Sequence, residues 1–572
     1  MQPRMARPPL SRRTVARLVQ LAGLFDVVTA AVPHPRGRME AVMDVVPAAG
    51  VVSAHAATVV IGMLLVYLGA GLRRGKHRAW QVAAGLTAAS IVLHLVKGLD
   101  LAAAGVAAVL LVMLVATRDR FTTVADPRHP WRALTALTGF AAAGFVLGFL
   151  EIAVRANRLI GTPGTADWAK ESALGLIGLD GPVEFRYRFG ADVVAYTTGA
   201  CGLLAAGVAL VILLRPGARR PQRDGESEAR LRELLRRYGA ADSLGYFALR
   251  ADKALIWAPN RAAVVAYRVV NGVSLAAGDP IGPESAWPEA IGAWLRDADR
   301  HGWTPAVLGC GRAAGKAYRK WGLDVVELGD EAIVDTSAFT LDGRPVRGVR
   351  QAVNRMRRAG YTCRVARQHD LTADELAAAI AAADQFRDGP VERGFSMALS
   401  RLGDPRDADC LLVLGHDERG VLRGLLQFVP WGADGLSLDL MRGDRTADNG
   451  LTELMVTAVL ERAAALGVRR VSLNFAVLRS VFARAEELGA GPVLRLWHRL
   501  LRVASKLWQI ESLYRSNAKY QPQWSPRYLC FPTARDLPRI AVAALTAEAF
   551  LPEPKLPRLR RAPVAATAEA PA

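Results

Sequence analysis

The sequence predicts a membrane domain of about six transmembrane helices followed by an α/β domain. Three observations carry this expectation: six apolar stretches before residue 215, basic clusters alternating between them, and a strand-and-helix alternation that runs from residue 229 onward. The stretches lie near 14–33, 51–71, 79–97, 99–117, 133–155 and 193–214. Each approaches the ~20 residues that cross the hydrocarbon of a bilayer. Arg4, Arg7, Arg12, Arg13 and Arg17 precede or open the first stretch, and Arg73, Arg74, Lys76 and Arg78 separate the second from the third. Arg118, Arg120 and Arg128 separate the fourth from the fifth, and Arg215, Arg219, Arg220 and Arg223 follow the sixth. Basic loops stay on the cytosolic side. A multi-pass cell-membrane protein is therefore expected, with both termini and the soluble domain in the cytosol. The charged start looks like that of a signal peptide, but Asp26 interrupts its apolar run, so it reads as a retained first helix.

Composition narrows the partners. The 572 residues are 51% hydrophobic and carry a net charge of +20, a pairing that fits a membrane protein with an anionic, phosphate-bearing partner. The cysteines, at 201, 310, 363, 410 and 530, form no C-x-x-C pair and have no histidine at ligand spacing, so neither a disulfide framework nor a metal site is expected. Asp26, His55, His94, Glu151 and Arg155 fall inside apolar stretches. Such residues are costly in hydrocarbon and face protein or water. They are candidates for lipid handling, with internal pairing and snorkelling as the plainer explanation.

Residues 1–215 form the expected membrane domain, and the Pro-, Gly- and charge-rich stretch 216–228 reads as a linker. In the soluble region YFALRADKALIWA, AAVVAYRVV and VSLAAGDPIG read as strands, SAWPEAIGAWLRDADRHG as a helix and TPAVLGC as a strand. The helix RAAGKAYRKWG and the strands LDVVEL and EAIVDTSAF follow. From 371 the order recurs: helix LTADELAAAIAAADQFR, strands DCLLVLGHD, VLRGLLQFVPW and GLSLDLMR, helix NGLTELMVTAVLERAAALG, strand VRRVSLNFA and helix RSVFARAEELG. Two successive α/β units, 229–370 and 371–550, suggest a duplicated acyltransferase-type fold, tandem and GNAT-like. The Pro/Ala-rich end, 551–572, has too few bulky apolar residues to order and reads as a disordered tail.

Several separated motifs then stand in one order. They are GDPIG (Gly278–Gly282), VRQAVNRMRRAGY with Arg350 and Asn354, ERGFSM with Glu392 and Gly394, LDLMR with Asp439 and Arg442, DNGLTELM, SLNFA and ESLYRSNAKYQPQWSPRYLCFP. Over about 225–545 the chain resembles the aminoacyl-phosphatidylglycerol synthases, the multiple peptide resistance factors. The likeness is greatest to their actinobacterial branch, the synthase part of mycobacterial proteins fused to a lysyl-tRNA synthetase. The resemblance implies a transferase that moves an aminoacyl group, lysyl favoured, from aminoacyl-tRNA to phosphatidylglycerol. Its product would reduce the negative surface charge and give resistance to cationic antimicrobial peptides. No synthetase is read in this chain, so a separate synthetase is expected to supply charged tRNA. No cofactor is expected, because the tRNA ester is already activated and its transfer is a transesterification that needs placement and proton transfer.

In that frame Asp439 and Arg442, at the end of a predicted strand, are the candidate catalytic residues. Asp439 orients or deprotonates the attacking hydroxyl, or else holds the amino acid's ammonium; Arg442 takes a phosphate through its donor fork. A structural ion pair between the two is the alternative. Asn449 and Gly450 open a helix whose backbone donors suit an anion. Lys519, Tyr520, Trp524 and Arg527 crowd cations against rings, as a phosphate and a base or sugar require, or else they clamp the chain end. Glu392 and Asp279 are weaker substrate-site candidates. The run 493–510 places Leu494, Trp497, Leu501 and Trp508 on one face and is otherwise basic, with Arg495, Arg499, Arg502 and Lys506. It is the expected contact with an anionic leaflet. Two other functions remain open: a non-enzymatic lipid transporter or scaffold, and a tRNA-dependent peptidoglycan aminoacyltransferase. A CoA enzyme is disfavoured, because RGDRTADNG lacks the closely spaced glycines of a pyrophosphate loop.

Overall fold

A computed structural model describes residues 11–31, 48–73, 75–96, 100–121, 129–213, 224–387, 389, 392, 394–477 and 515–552. The chain divides into two compact units, Met1–Ala218 with Arg296–Trp303, and Arg219–Leu295 with Thr304–Ala572.

In the first unit a helix covers each of the six apolar stretches: α1 (Arg12–Ala31), α2 (Ala48–Arg73), α3 (His77–Val96), α4 (Leu101–Ala116), α5 (His129–Val154) and, after the short α6 (Thr165–Gly175), α7 (Arg188–Leu213). Two segments among the described residues, Ala133–Val154 and Arg188–Leu213, are long and apolar enough to cross a membrane by length and composition. Helix α1 carries Arg12, Arg13, Arg17 and Asp26, and α4 has only 16 residues. Helices α1 and α2 cross where both backbones lack a side chain: a Cβ on Gly23 or on Gly62 would stand 2.5 Å from the other's carbonyl oxygen. Small residues permit such close crossings. Asp26 is internally satisfied, 2.9 Å from His94 Nε2 and 2.9 Å from Ser90 Oγ. That pairing accounts for both residues without a lipid.

The second unit is built on a single sheet. Its strands are β1 (Ala254–Trp257), β2 (Val264–Val270), β3 (Val273–Ala277), β4 (Thr304–Cys310), β5 (Asp324–Asp335), β6 (Thr362–Arg367), β7 (Leu411–His416), β8 (Leu422–Trp431), β9 (Gly435–Gly443), β10 (Arg470–Val477) and β11 (Gln523–Phe531). They lie in the order β1-β2-β3-β4-β11-β5-β10-β9-β8-β7-β6. Only β3 with β4 and β9 with β10 run parallel; the remaining pairs are antiparallel. The helices are α8 (Gly225–Tyr238), α9 (Trp287–His301), α10 (Arg312–Lys320), α11 (Arg347–Arg358), α12 (Ala373–Gln385), α13 (Leu451–Arg462) and α14 (Leu537–Ala547). The strand alternation sets the layers. Val413, Leu426 and Leu438 face α11 and α13 through Val353, Met356, Leu454 and Val459, whereas Leu412, Leu414 and Leu425 face α12 through Ala379, Ala382 and Ala383.

Four local expectations change. Residues 245–249 form a 3-10 turn, with Phe247, Ala248 and Leu249 all buried, so only Ala254–Trp257 of YFALRADKALIWA is strand. LDVVEL and EAIVDTSAF are one strand, β5. Its Gly329–Asp330 step stays extended because β11 pairs with Asp324–Ile333 and β10 with Gly329–Asp335. Strand β6 extends the sheet beside β7, and β11 enters between β4 and β5. Sheet order and chain order therefore part at the expected 370/371 boundary. The expected helix RSVFARAEELG, the basic segment 493–510 and residues 553–572 of the tail lie outside the described residues.

Candidate active site

The parallel strands β9 and β10 pair only over Gly435–Ser437 and Arg470–Ser472, and then separate. Two distortions mark the separation. Strand β10 shifts register between Ser472 and Phe475, where Asn474 adopts φ 70°. In β9, Gln427 pairs with Leu440 and Phe428 with Leu438, which leaves Asp439 as the extra residue of a bulge. A bulge re-aims a side chain, and the carboxyl ends of parallel strands are where α/β sheets place ligands.

Asp439 Oδ1 accepts from the Leu399 backbone N–H at 2.7 Å. Burial pushes its carboxyl up to about 7, against the Leu399 hydrogen bond and Arg250; like charge on Glu392 and Asp407 adds to the rise. The wall beside it is the loop 394–400. Glu548, past the end of α14, accepts from Phe395 N (2.6 Å), Ser396 N (3.0 Å) and Ser396 Oγ (2.6 Å). Arg250 Nη1 donates to Ala398 O (3.1 Å) and Ser400 Oγ (2.7 Å), and the buried Lys253 sets its ammonium 4.6 Å from the Phe395 ring centre. Sequence reasoning missed Arg250, Lys253 and Glu548. They come from the far ends of the domain, and no local pattern marks them.

Arg442 does not pair with Asp439. Its Nη2 donates to Glu392 Oε1 at 2.5 Å, and its Nε is buried with no hydrogen-bond partner among the described residues. Asp439, Glu392 and Arg442 are thus brought together by one strand end and one loop. A second group gathers at the start of α13. Gly450 is its N-cap at φ 114°, Asn449 O accepts from Arg355 Nη2 at 2.6 Å, and Lys519 Nζ lies 2.7 Å from Glu453 Oε1 in the first turn.

Three of the expected substrate residues lie elsewhere. Tyr520 is 4% exposed within the α13 core, where burial raises its phenol well above the ordinary range. Trp524 is partly buried against the same core. Arg527 is a correction. Its Nε donates to Glu331, Nη1 to Asp242 and Gly309 O, and Nη2 to Ser243 and Glu331, so all five donors end inside the protein and none is left for a phosphate. Asp279 accepts from Gly311 N at 2.6 Å at the start of α10, as a turn-and-cap residue does. Arg495, Trp497, Arg499, Arg502 and Trp508 lie outside the described residues. A cavity of about 770 Å³, lined by Trp431, Asp434, Arg470, Asp335 and Gln523 among others, opens at the start of β9 and β10, the sheet edge opposite Asp439.

The family model described as "Phosphatidylglycerol lysyltransferase, C-terminal" matches residues 232–531, which contain every strand from β1 to β11. The chain belongs to that family. Relatives agree with the match. The lysylphosphatidylglycerol biosynthesis bifunctional protein LysX of Rhodococcus jostii is 42% identical over 508 residues, 87% of this chain and 45% of the relative. The protein of the same name from Mycobacterium avium is 51% identical over 353 residues, 62% of this chain and 30% of its own. The chain therefore spans less than half the length of these curated relatives. The structure titled L-PGS from Bacillus licheniformis aligns with TM-score 0.50 at 23% identity, covering 58% of this chain and 98% of that one, which shows a shared fold.

Proposed function

We propose that this family member is a membrane-bound transferase that moves an aminoacyl group, lysyl favoured, from aminoacyl-tRNA to phosphatidylglycerol. The product lowers the negative charge of the membrane surface and gives resistance to cationic antimicrobial peptides. The observation that carries the reading is Asp439, a carboxyl lifted to about 7 on a bulge at the mouth between two separating parallel strands. At that value it is present as base and as acid near neutrality, which a proton shuttle requires. The lipid hydroxyl gives its proton to Asp439 as its oxygen attacks the ester carbonyl. The bond to the tRNA ribose oxygen breaks, and that oxygen takes the proton back. Arg442 and Lys519, with the backbone donors of Asn449 and Gly450, hold phosphate. Glu392 keeps Arg442 oriented and faces the amino acid. The tRNA is charged by a separate synthetase.

The frame belongs to the same proposal. Six spans in residues 1–215 leave both termini and the α/β domain in the cytosol, and two GNAT-like subdomains, 229–370 and 371–550, exchange β6 and β11 across their boundary. The segment 493–510 rests on the leaflet through Arg495, Trp497, Arg499, Arg502 and Trp508. Reporter fusions after residues 75, 124 and 225 should read cytosol and one near 170 should read outside. An outward-facing 225 would remove access to cytosolic tRNA.

Expression in a host without aminoacylated lipids should yield a new ninhydrin-positive phospholipid, whose mass names the amino acid and the acceptor. Arg442→Ala should abolish it while the protein still accumulates in the membrane. Undiminished product from that variant would take Arg442 out of the site.

A further inference from the structure

The loop beside Asp439 is held from the far end of the chain. Glu548 caps α14, and the two residues after it close the helix: Ala549 N donates to Thr546 O at 3.1 Å and Phe550 N to Leu545 O at 2.9 Å. This is the Schellman arrangement, which puts the residue after the cap in the left-handed region and usually gives that place to glycine. Here it is alanine, at φ 60°, a conformation that persists where the surroundings enforce it. So placed, Glu548 meets loop 394–400 with its backbone and its side chain. Its carbonyl accepts from Gly394 N at 3.2 Å, and its carboxylate takes Phe395 N, Ser396 N and Ser396 Oγ. Three successive backbone N–H groups thus end on one residue. The loop is bent at both ends, by Gly394 at φ 107° and Ser400 at φ 56°. A Cβ on Gly394 would lie 2.5 Å from Ala398 Cβ, so that position has no room for a side chain.

We propose that Glu548 is a positioning residue for the transfer, fixing loop 394–400 so that the Leu399 N–H stays on Asp439 and Glu392 stays on Arg442; the inference rests on the transferase reading above. Leu399 lies three residues after Ser396 and Glu392 two before Gly394, so one anchor serves both contacts. Arg250 grips the second half of the loop, at Ala398 O and Ser400 Oγ, and Lys253 lies against the Phe395 ring. The backbone N–H groups of the first half rest on Glu548. The charged and titratable groups that face Asp439 are Arg250, Glu392, Asp407 and Cys410. Arg250 and the Leu399 N–H favour its ionised form, and Glu392 and Asp407 oppose it. A loop that drifts therefore takes away one of the two contacts that let Asp439 act as a base.

The test uses the full chain in phosphatidylglycerol-containing nanodiscs with lysyl-tRNA, and compares wild type with Glu548→Ala across pH. Glu548→Gln serves if the Ala form does not accumulate: its amide oxygen can keep Ser396, but its NH₂ then meets Phe395 N. Without the anchor the Leu399 N–H withdraws. The midpoint of the rate profile, expected at about 7 in wild type, should then rise by about one unit or more, the worth of a hydrogen bond to a charged group. The rate should fall on the order of tenfold or more below that midpoint and return toward wild type above it. Unfolding reads the same proton without turnover. The loss of unfolding temperature that wild type should show as pH rises through about 7 should move to higher pH by the same amount. A rate lowered equally at every pH, with both midpoints unmoved, would overturn the proposal and leave Glu548 a packing residue. A wild-type chain that makes no aminoacyl lipid would instead remove the transferase reading, and the unfolding midpoint would still decide whether Glu548 sets the proton on Asp439.

Discussion

Asp439→Asn is expected to lower lipid aminoacylation roughly a hundred- to ten-thousand-fold, the range that a positioned acid–base group contributes. The substitution keeps an oxygen for the Leu399 N–H, so the 394–400 loop retains its anchor and the protein should still accumulate. The pH dependence separates proton transfer from a positioning role. With the carboxyl raised to about 7, the wild-type rate should climb with pH through that value and then level, while the residual rate of the Asn variant stays flat. Stability runs the other way. A folded-state value above the unfolded one, about 3.9 for an aspartate, means that the native state binds the proton more tightly between those limits. The stabilisation is complete below about 4 and is lost as pH rises through 7. The Asn variant should lack that slope and unfold at a higher temperature than wild type at pH 8. A wild-type rate profile that the variant reproduces would leave Asp439 without a proton-transfer role.

Arg527→Met should act by a different route, because it removes the cation that Asp242, Glu331 and Ser243 surround in the interior. Breaking a buried pair from one side costs about 3–5 kcal/mol, since the partner charges stay behind without compensation. A large loss of unfolding temperature and of protein in the membrane is expected, and the molecules that remain folded should keep a near-normal KM for tRNA. Adding Glu331→Gln should restore part of the loss. If Arg527→Met instead left stability intact and raised KM for tRNA, the guanidinium would be a phosphate ligand after all.

Much of the second unit could be read along the chain. GLSLDLMR alternates, DCLLVLGHD and VLRGLLQFVPW are short apolar runs, and LTADELAAAIAAADQFR opens on Thr372 with Glu375 three residues on, a capping box that the structure retains. Other features depended on partners remote in sequence. Strand β11 contains Pro526, which argues against an interior strand. It is tolerated because the pairing with β5 shifts register between Arg527 and Tyr528, beside the proline. The Gly329–Asp330 step looks like a turn until strands on both sides hold it straight. The LDLMR motif drew attention to Asp439 and Arg442. That they would take different partners, Leu399 N and Glu392, depends on a bulge set by β8, and no spacing rule reports it. Arg527 looked available for a phosphate because a motif shows residue types and not what surrounds them.

The position of β11 also governs when this domain can exist. Strand β5 ends at Asp335, but its neighbours β10 and β11 begin only at Arg470 and Gln523. At about 5–20 residues per second the ribosome needs roughly 10–40 s to make that intervening chain. Through this interval β4 and β5 present open edges, the kind of surface that recruits foreign strands. A polypeptide stopped short of residue 523 would already hold Asp439, Glu392 and Arg442 in its sequence, yet lack the strand that joins β4 to β5. Nascent chains released there should be prey for proteases, which makes the synthesis of β11 the step that completes the sheet.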